Sequence, residues 1–388
     1  MRNAPIQSFA DLLTRWPADV ISQKMDATEG GDVLRALERP QPDTATLYRL
    51  LSPAAEPYLE TMARQSALMT RQRFGRTMQF YAPLYVSNYC ANACRYCGFN
   101  CRNQILRSAL SRKQVVKEAD FLGEKGFRHL LLVAGEDRQH VPVEYFSELA
   151  QQLRNKFASI TIEIYPLAQE EYAQLTAAGI DGLTLYQETY DRVVYADMHP
   201  AGPKKDFDRR LNAIEYGARA GMDKLGIGAL LGLSDWRVEA FRTGLHAFYL
   251  QKKYWRQQLA VSFPRMRKAA GGLNPPSEVK DKALVQILCA LRLVLPDADM
   301  VLSTRESPFL RDRLLPLGIT RISAASKTNP GGYTLNSENS GDQFEVQDNR
   351  SLQEMLEAVR EKGFDPILKN WDKTLHHTYH HHPAENPQ

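Results

Sequence analysis

A (βα)8 barrel with helical extensions at both ends is the fold class this sequence predicts, and three observations predict it. Short apolar runs rich in Val, Ile and Leu recur eight times between residues 80 and 328. The stretches between them are long enough for a helix and two loops, and the whole block spans about the 250 residues such barrels occupy. Polar residues gather at the ends of the runs, where barrels place their chemistry, which favours a closed barrel over a doubly wound open sheet.

The runs are "FYAPLYVSN" (80–88), "HLLLVAG" (129–135), "SITIEIYP" (159–166), "GLTLYQET" (182–189), "KLGIGALLGL" (224–233), "LAVSFPRM" (259–266), "DMVLSTRES" (299–307) and "RISAAS" (321–326). Continuous rather than alternating apolar character fits strands buried on both faces of a parallel sheet. The gaps carry helix patterns. In "SRKQVVKEADFLGEKGF" an apolar side formed by Val115, Val116, Ala119, Phe121 and Leu122 is stopped by Gly126, and "DFDRRLNAIEYGARAGM" is stopped by Gly221. The glycines of "GIGALLGL" lack the spacing of a nucleotide loop and sit within an apolar run, so close packing is their expected role.

Residues 1–76 read as a helical extension covering one end of the barrel. Ser8 can cap "FADLLTRW", and Leu59, Met62, Leu68 and Met69 fall at roughly helical spacing. The barrel is expected over 77–330. After it, 331–388 opens with a polar loop, continues as the short amphipathic helix "SLQEMLEAVREKGF" and ends in a tail. The tail's "HHTYHHHP" (376–383) has uneven spacing and a terminal position, which favour a disordered end over a metal site.

With 49 basic and 45 acidic residues in 388, charge is too evenly mixed to argue for nucleic acid, and "RQRFGR" (71–76) is short enough to be a solvated helix end. The N-terminus lacks the apolar core of a secretory signal, and Asp11 stands where a mitochondrial presequence avoids acid. No apolar run approaches the roughly 18 residues that suggest a membrane span. A cytoplasmic protein is expected, and in that reducing compartment clustered thiols point to metal rather than to disulfides.

Four of the five cysteines lie in "CANACRYCGFNC" (90–101). Cys90, Cys94 and Cys97 form Cys-x3-Cys-x2-Cys at the end of the first predicted strand, and three soft thiolates on one tight loop can hold three irons of a cubane cluster, leaving the fourth open. With Cys101 included, four thiols could instead close a tetrahedral zinc or a purely electron-transferring cluster. Zinc sites, however, usually pair two hairpins across a longer insert. Cys101 is expected to stand outside the set, and Cys289 in "LVQILCALRLVL" to be a buried helix residue.

This motif, with the aromatic Tyr96 before the third cysteine and its place after the first barrel strand, resembles the radical S-adenosylmethionine (SAM) superfamily. Within it, "PLYVSNYCANACRYCGF", "HLLLVAGE", "YQETY", "GIGALLGLSDWR", "SFPRMR", "LSTRESPFLRDR" and "SKTNPGGY" resemble the tyrosine lyases of thiamine thiazole biosynthesis. The resemblance implies a [4Fe-4S] cluster on Cys90, Cys94 and Cys97 with SAM on the open iron. It implies cleavage of the Cα–Cβ bond of L-tyrosine to dehydroglycine and p-cresol, a thiazole synthase partner, and a flavodoxin or ferredoxin as electron donor. The tyrosine lyase that matures iron-iron hydrogenase carries a second cluster on C-terminal cysteines, and this chain has none after Cys289. A tryptophan lyase of antibiotic biosynthesis stays open.

Site residues follow from the same resemblance and from residue chemistry. Gly135 and Glu136 match the position that meets the SAM amino group, and Arg210 matches an arginine that pairs with the SAM carboxylate, with Arg209 as its competitor. Glu163 is a carboxylate in an apolar run, where burial without a partner is costly, so a ribose or an ammonium is expected beside it. Arg305, ending the seventh run, has the fork to grip the tyrosine carboxylate, and Ser323 can add a hydrogen bond. Tyr85 matches a pocket aromatic of related lyases and is equally an ordinary strand tyrosine.

Overall fold

A computed structural model describes residues 8–335 and 341–369 of the chain; the histidine-rich stretch 376–383 lies outside them. Eight parallel strands close a barrel: β1 (Thr77–Ser87), β2 (His129–Ala134), β3 (Ser159–Glu163), β4 (Gly182–Thr184), β5 (Lys224–Gly228), β6 (Gln258–Ser262), β7 (Asp299–Leu302) and β8 (Arg321–Ser323). Closure falls on β1, which pairs with β8 through Gln79–Tyr81 and with β2 through Ala82–Ser87. The register of β1 against β2 shifts between Tyr85 and Ser87, so the strand bends where the cysteine loop begins.

Seven of the eight strands begin within two residues of the predicted runs, and β1 begins three residues early. Their ends differ more. β4 stops at Thr184, β5 at Gly228 and β7 at Leu302, each several residues before its apolar run does. The extra residues are buried loops over the barrel mouth, and burial alone writes the same apolar signature in a loop as in a strand. A ninth strand, β9 (Asp365–Ile367), pairs with Thr77–Gln79 below β2. Its "DPI" is too short and too rich in turn formers to be read as a strand.

The helices between strands start where caps allow. Ser111 accepts from Gln114 N to open Arg112–Glu124, and Asp206 accepts from Arg209 N to open Phe207–Arg219. Gly126 and Gly221, at φ +102° and +87°, turn the chain out of these helices into the next strand. Gly226 and Gly228 do pack closely: a Cβ on them would meet Thr184 Oγ1 and Ser262 O at 2.7 and 2.2 Å.

Ser8 caps Phe9–Thr14 as expected. The N-terminal helices do not cover an end of the barrel, however. They lie along its flank against helices Phe207–Arg219, Trp236–Lys253 and Asp281–Val294, whose outer faces are apolar enough to need a second layer. In Leu59–Phe74 the buried residues are Met62, Ser66 and Thr70, while Leu68 is 58% exposed, so the predicted apolar stripe is rotated. Cys289 is buried in Asp281–Val294.

After β8 the chain crosses the barrel mouth before helix Leu352–Glu361. The crossing is pinned inside the fold. Buried Arg311 pairs with Asp348 and donates to Ser323 O at 2.6 Å, and buried Glu118 accepts from the backbone N–H groups of Tyr333 and Thr334 at 3.0 and 2.6 Å.

Candidate active site at the carboxyl ends of the strands

The loop leaving β1 has no regular structure, so side chains satisfy its backbone. Arg107 donates to the carbonyls of Asn88, Phe99 and Asn100 at 2.6, 2.9 and 2.6 Å, and Asn100 donates to Cys94 O at 2.9 Å. Within this frame Cys94 is buried and Cys90 and Cys97 are half-buried, whereas Cys101 is exposed. Burial raises all three inner thiols, Cys90 to about 11, so they become thiolates only when a metal cation compensates the charge.

This donor set fits a cubane cluster, which takes one soft thiolate on each of three separate irons, and the three thiols line one cavity. Cys101 is exposed and is not among the residues lining the cavity that Cys90, Cys94 and Cys97 share.

Gly135, at the end of β2, does not present a side chain to this cavity but makes room for it. A Cβ there would lie 2.2 Å from Tyr89 O and 3.2 Å from Cys90 Cβ. Gly135→Ala is therefore expected to push the first cysteine out of place and to lower cluster content after reconstitution several-fold, with helix content retained. Iron and sulfide analysis beside circular dichroism checks this.

Beyond the thiols lies a buried network of two acids and two bases. Arg210 donates to Glu136 at 2.7 Å and to Tyr186 O at 2.6 Å, and it lies 3.6 Å from Glu188. Lys204 donates to Glu188 at 2.7 Å, and Asn92 donates to Glu136 at 3.0 Å and accepts from Lys204 N at 2.8 Å. Burial alone would raise the Glu188 carboxyl, but Lys204 and Arg210 outweigh it and hold it below the usual range. Glu188 adopts φ +69°, a conformation that costs a non-glycine residue about 1 kcal/mol or more and gathers at functional sites. Arg209, the competitor of Arg210, is exposed, and its side chain reaches Pro166 O at 3.5 Å and no other acceptor among the described residues.

Glu163 faces the same space with no hydrogen bond or ion pair among the described residues. Burial, then the nearby Glu188 charge, pushes its carboxyl up to about 7, against the pull of Arg305, Lys204 and Arg210. Tyr96 is fixed by His199. The imidazole Nδ1 lies 2.7 Å from Tyr195 O and so carries the proton, leaving Nε2 to accept from the Tyr96 hydroxyl at 2.8 Å. Burial lowers His199 to about 3, keeping it neutral.

On the far side, the Arg305 guanidinium stacks 3.4 Å from the ring centre of Phe344. Its forked donors make no hydrogen bond among the described residues. Tyr85 donates to Gln343 Oε1 at 2.7 Å, and buried Ser323 lines the same cavity. All eleven residues named from the sequence line two cavities that share Cys97, Val133, Glu163, Glu188, Lys204 and Gln343. Sequence reading missed Asn92, Tyr186, Glu188, Lys204, Gln343 and Phe344. "YQETY" held two of them, but Lys204 sits in the surface-like "GPKKD", and Gln343 and Phe344 in a polar loop.

The model of the radical SAM superfamily matches residues 84–243, and that of the biotin and thiamin synthesis associated domain matches residues 262–365. The chain is 44% identical over 371 residues to the 2-iminoacetate synthase of Escherichia coli (strain K12), covering 95% of this chain and 98% of that one. The X-ray structure of the FeFe-hydrogenase maturase HydG from Carboxydothermus hydrogenoformans is similar with a TM-score of 0.81 and 32% identity, over 93% of this chain and 83% of that one. Methylornithine synthase (PylB), at 23% identity and a TM-score of 0.68, covers 86% of this chain and 96% of its own and shares the fold.

Proposed function

Because this chain belongs to the 2-iminoacetate synthases, radical SAM lyases that act on tyrosine, we propose specific tasks for the residues gathered at its barrel mouth. The observation that carries the assignment is one chamber with three buried or half-buried thiols at one end and an arginine with unused donors at the other. Bound there, a [4Fe-4S] cluster and SAM would supply the electron and the adenosyl radical needed to take a hydrogen atom from tyrosine.

The chain's own residues do the rest by holding. Cys90, Cys94 and Cys97 anchor the cluster. Glu136, Glu188, Arg210 and Lys204 offer carboxylates and cations to the ammonium and carboxylate of a SAM aminoacyl group, and their mutual pairs keep these charges satisfied before the ligand arrives. Tyr96, held by His199, and Glu163 flank the space left for the nucleoside. Arg305 grips the tyrosine carboxylate, with Ser323 and Tyr85 beside it. A primary radical attacks whatever is nearest, so this fixation and the closure by Gln343 and Phe344 keep water and wrong hydrogens away.

The products are 2-iminoacetate and p-cresol. A thiazole synthase consuming the imine and a small flavodoxin or ferredoxin donor complete the reading. Among the described residues no helix is long and apolar enough to cross a membrane, and we place the enzyme in the cytoplasm. The test is anaerobic reconstitution followed by assay with SAM, reductant and L-tyrosine. Formation of p-cresol with 5'-deoxyadenosine is expected, together with an EPR spectrum that changes on adding SAM. Turnover of tryptophan without p-cresol would instead assign a tryptophan lyase.

Glu163 gives a pH signature. Its carboxyl is raised from 4.5 to about 7 in the folded chain, so the folded state holds the proton more tightly, and stability falls as pH rises from about 4.5 to about 7. Glu163→Gln removes this loss. In the cluster-free protein the variant is expected to gain roughly 2 kcal/mol on wild type at pH 8, allowing for water reaching the carboxylate, and almost nothing at pH 4. Urea unfolding at the two pH values measures it.

A further inference from the structure

Glu188 stands in the SAM site with a left-handed backbone, and a strained residue persists only where its surroundings overdetermine it. One side of the constraint is the strand neighbour, since Leu230 N donates to Glu188 O at 2.7 Å. The other side comes from outside the barrel. Glu239, 2% exposed on helix Trp236–Lys253, accepts from Tyr190 N at 2.8 Å and from Thr189 Oγ1 at 3.0 Å. Thr189 Oγ1 in turn accepts from Asp191 N at 3.1 Å, and Asp191 caps Arg192–Met198, the helix that leads to His199 and so to Tyr96.

Burying a carboxylate in the first turn of a helix is costly unless it is paired and hydrogen-bonded. Here the compensation is arranged around the turn. Arg242 lies 4.0 Å from Glu239, and the ring of Tyr190 meets Phe9 edge-on at 5.9 Å while its hydroxyl bonds His246 Nδ1 at 2.9 Å. Phe9 stacks on His246 at 4.0 Å, so the first described helix closes the outer side of the same cluster.

We infer that Glu239 is a positioning residue for SAM binding: by clamping the Thr189–Tyr190 turn it holds Glu188 in its left-handed conformation against Lys204 and Arg210. Glu239 touches neither cavity, so it acts through the turn alone. The inference rests on the proposed place of SAM beside Glu188. A carboxylate is required because both partners are donors; glutamine keeps one acceptor and turns an N–H group on the other donor.

The test compares wild type, Glu239→Gln and Thr189→Val, the last removing the hydroxyl bridge with little change of shape. Hydrogen exchange of the cluster-free chain is expected to speed up about tenfold at residues 188–191 in Glu239→Gln, and less in Thr189→Val, with the rest of the barrel unchanged. In reconstituted protein the SAM concentration needed to convert the EPR spectrum is expected to rise about tenfold, while KM for tyrosine moves less than about twofold. Unchanged exchange at 188–191, unchanged SAM affinity, or exchange raised evenly across the barrel would each overturn the clamp. If wild type binds SAM but makes no p-cresol, the tyrosine reading fails and the clamp stands or falls on the exchange and SAM data.

Discussion

Cys97→Ala protein, reconstituted without oxygen, is expected to hold no [4Fe-4S] cluster and to release neither 5'-deoxyadenosine nor p-cresol. The same holds for Cys90→Ala and Cys94→Ala. A cubane with three protein thiolates has no spare ligand to lose, and a neighbouring water is a hard donor that cannot replace a soft thiolate on iron. Cys101→Ala, by contrast, is expected to keep its cluster and nearly all of its activity, because that thiol is exposed and does not line the chamber. Iron and sulfide analysis with EPR reads the contrast. Loss of the cluster in Cys101→Ala would show that a fourth thiolate closes the site, and the open iron would have to be given up.

The second large effect concerns the other end of the chamber. Arg305→Lys is expected to raise KM for tyrosine about seventyfold, or roughly 2.5 kcal/mol, with SAM affinity little changed. Lysine keeps the charge but not the fork, and it cannot lie flat on Phe344 as the guanidinium does at 3.4 Å from the ring centre. Burial already disfavours the charged Arg305, so its charge is held there at a cost that a bound carboxylate offsets. A KM within about twofold of wild type would remove Arg305 from the carboxylate site.

Both predictions use residues that could be picked out before any fold was known, because each breaks the local pattern. Three thiols in eight positions and an arginine ending an apolar run have no cheap structural explanation. Lys204 and Glu188 could not be weighed that way. Lys204 lies in "GPKKD", which reads as solvated surface, yet it is buried against Glu188 and beside Tyr96. Its role depends on where the helix Arg192–Met198 delivers the chain. Gln343 likewise belongs to a polar loop that meets Tyr85 from 258 residues away.

Glu136 and Arg210 show the limit from the other direction. Each was expected to face a separate end of SAM, but they bond to each other at 2.7 Å. Two opposite charges brought into a dry cavity pair before any ligand arrives, and only the closed barrel, with helix Phe207–Arg219 packed on β4 and β5, reveals how close they come.

The sequence by itself determined the repeating strand and helix pattern, the starts of the strands and the gathering of three thiols on one loop, because periodicity, capping and thiol spacing act over a few neighbouring residues. Tertiary structure alone decided where the strands end, where the N-terminal helices pack, how the four charges pair and why Glu188 sits strained above Glu239. Those outcomes depend on burial and Coulomb energy between groups far apart in the chain, and neither is defined until the barrel has closed.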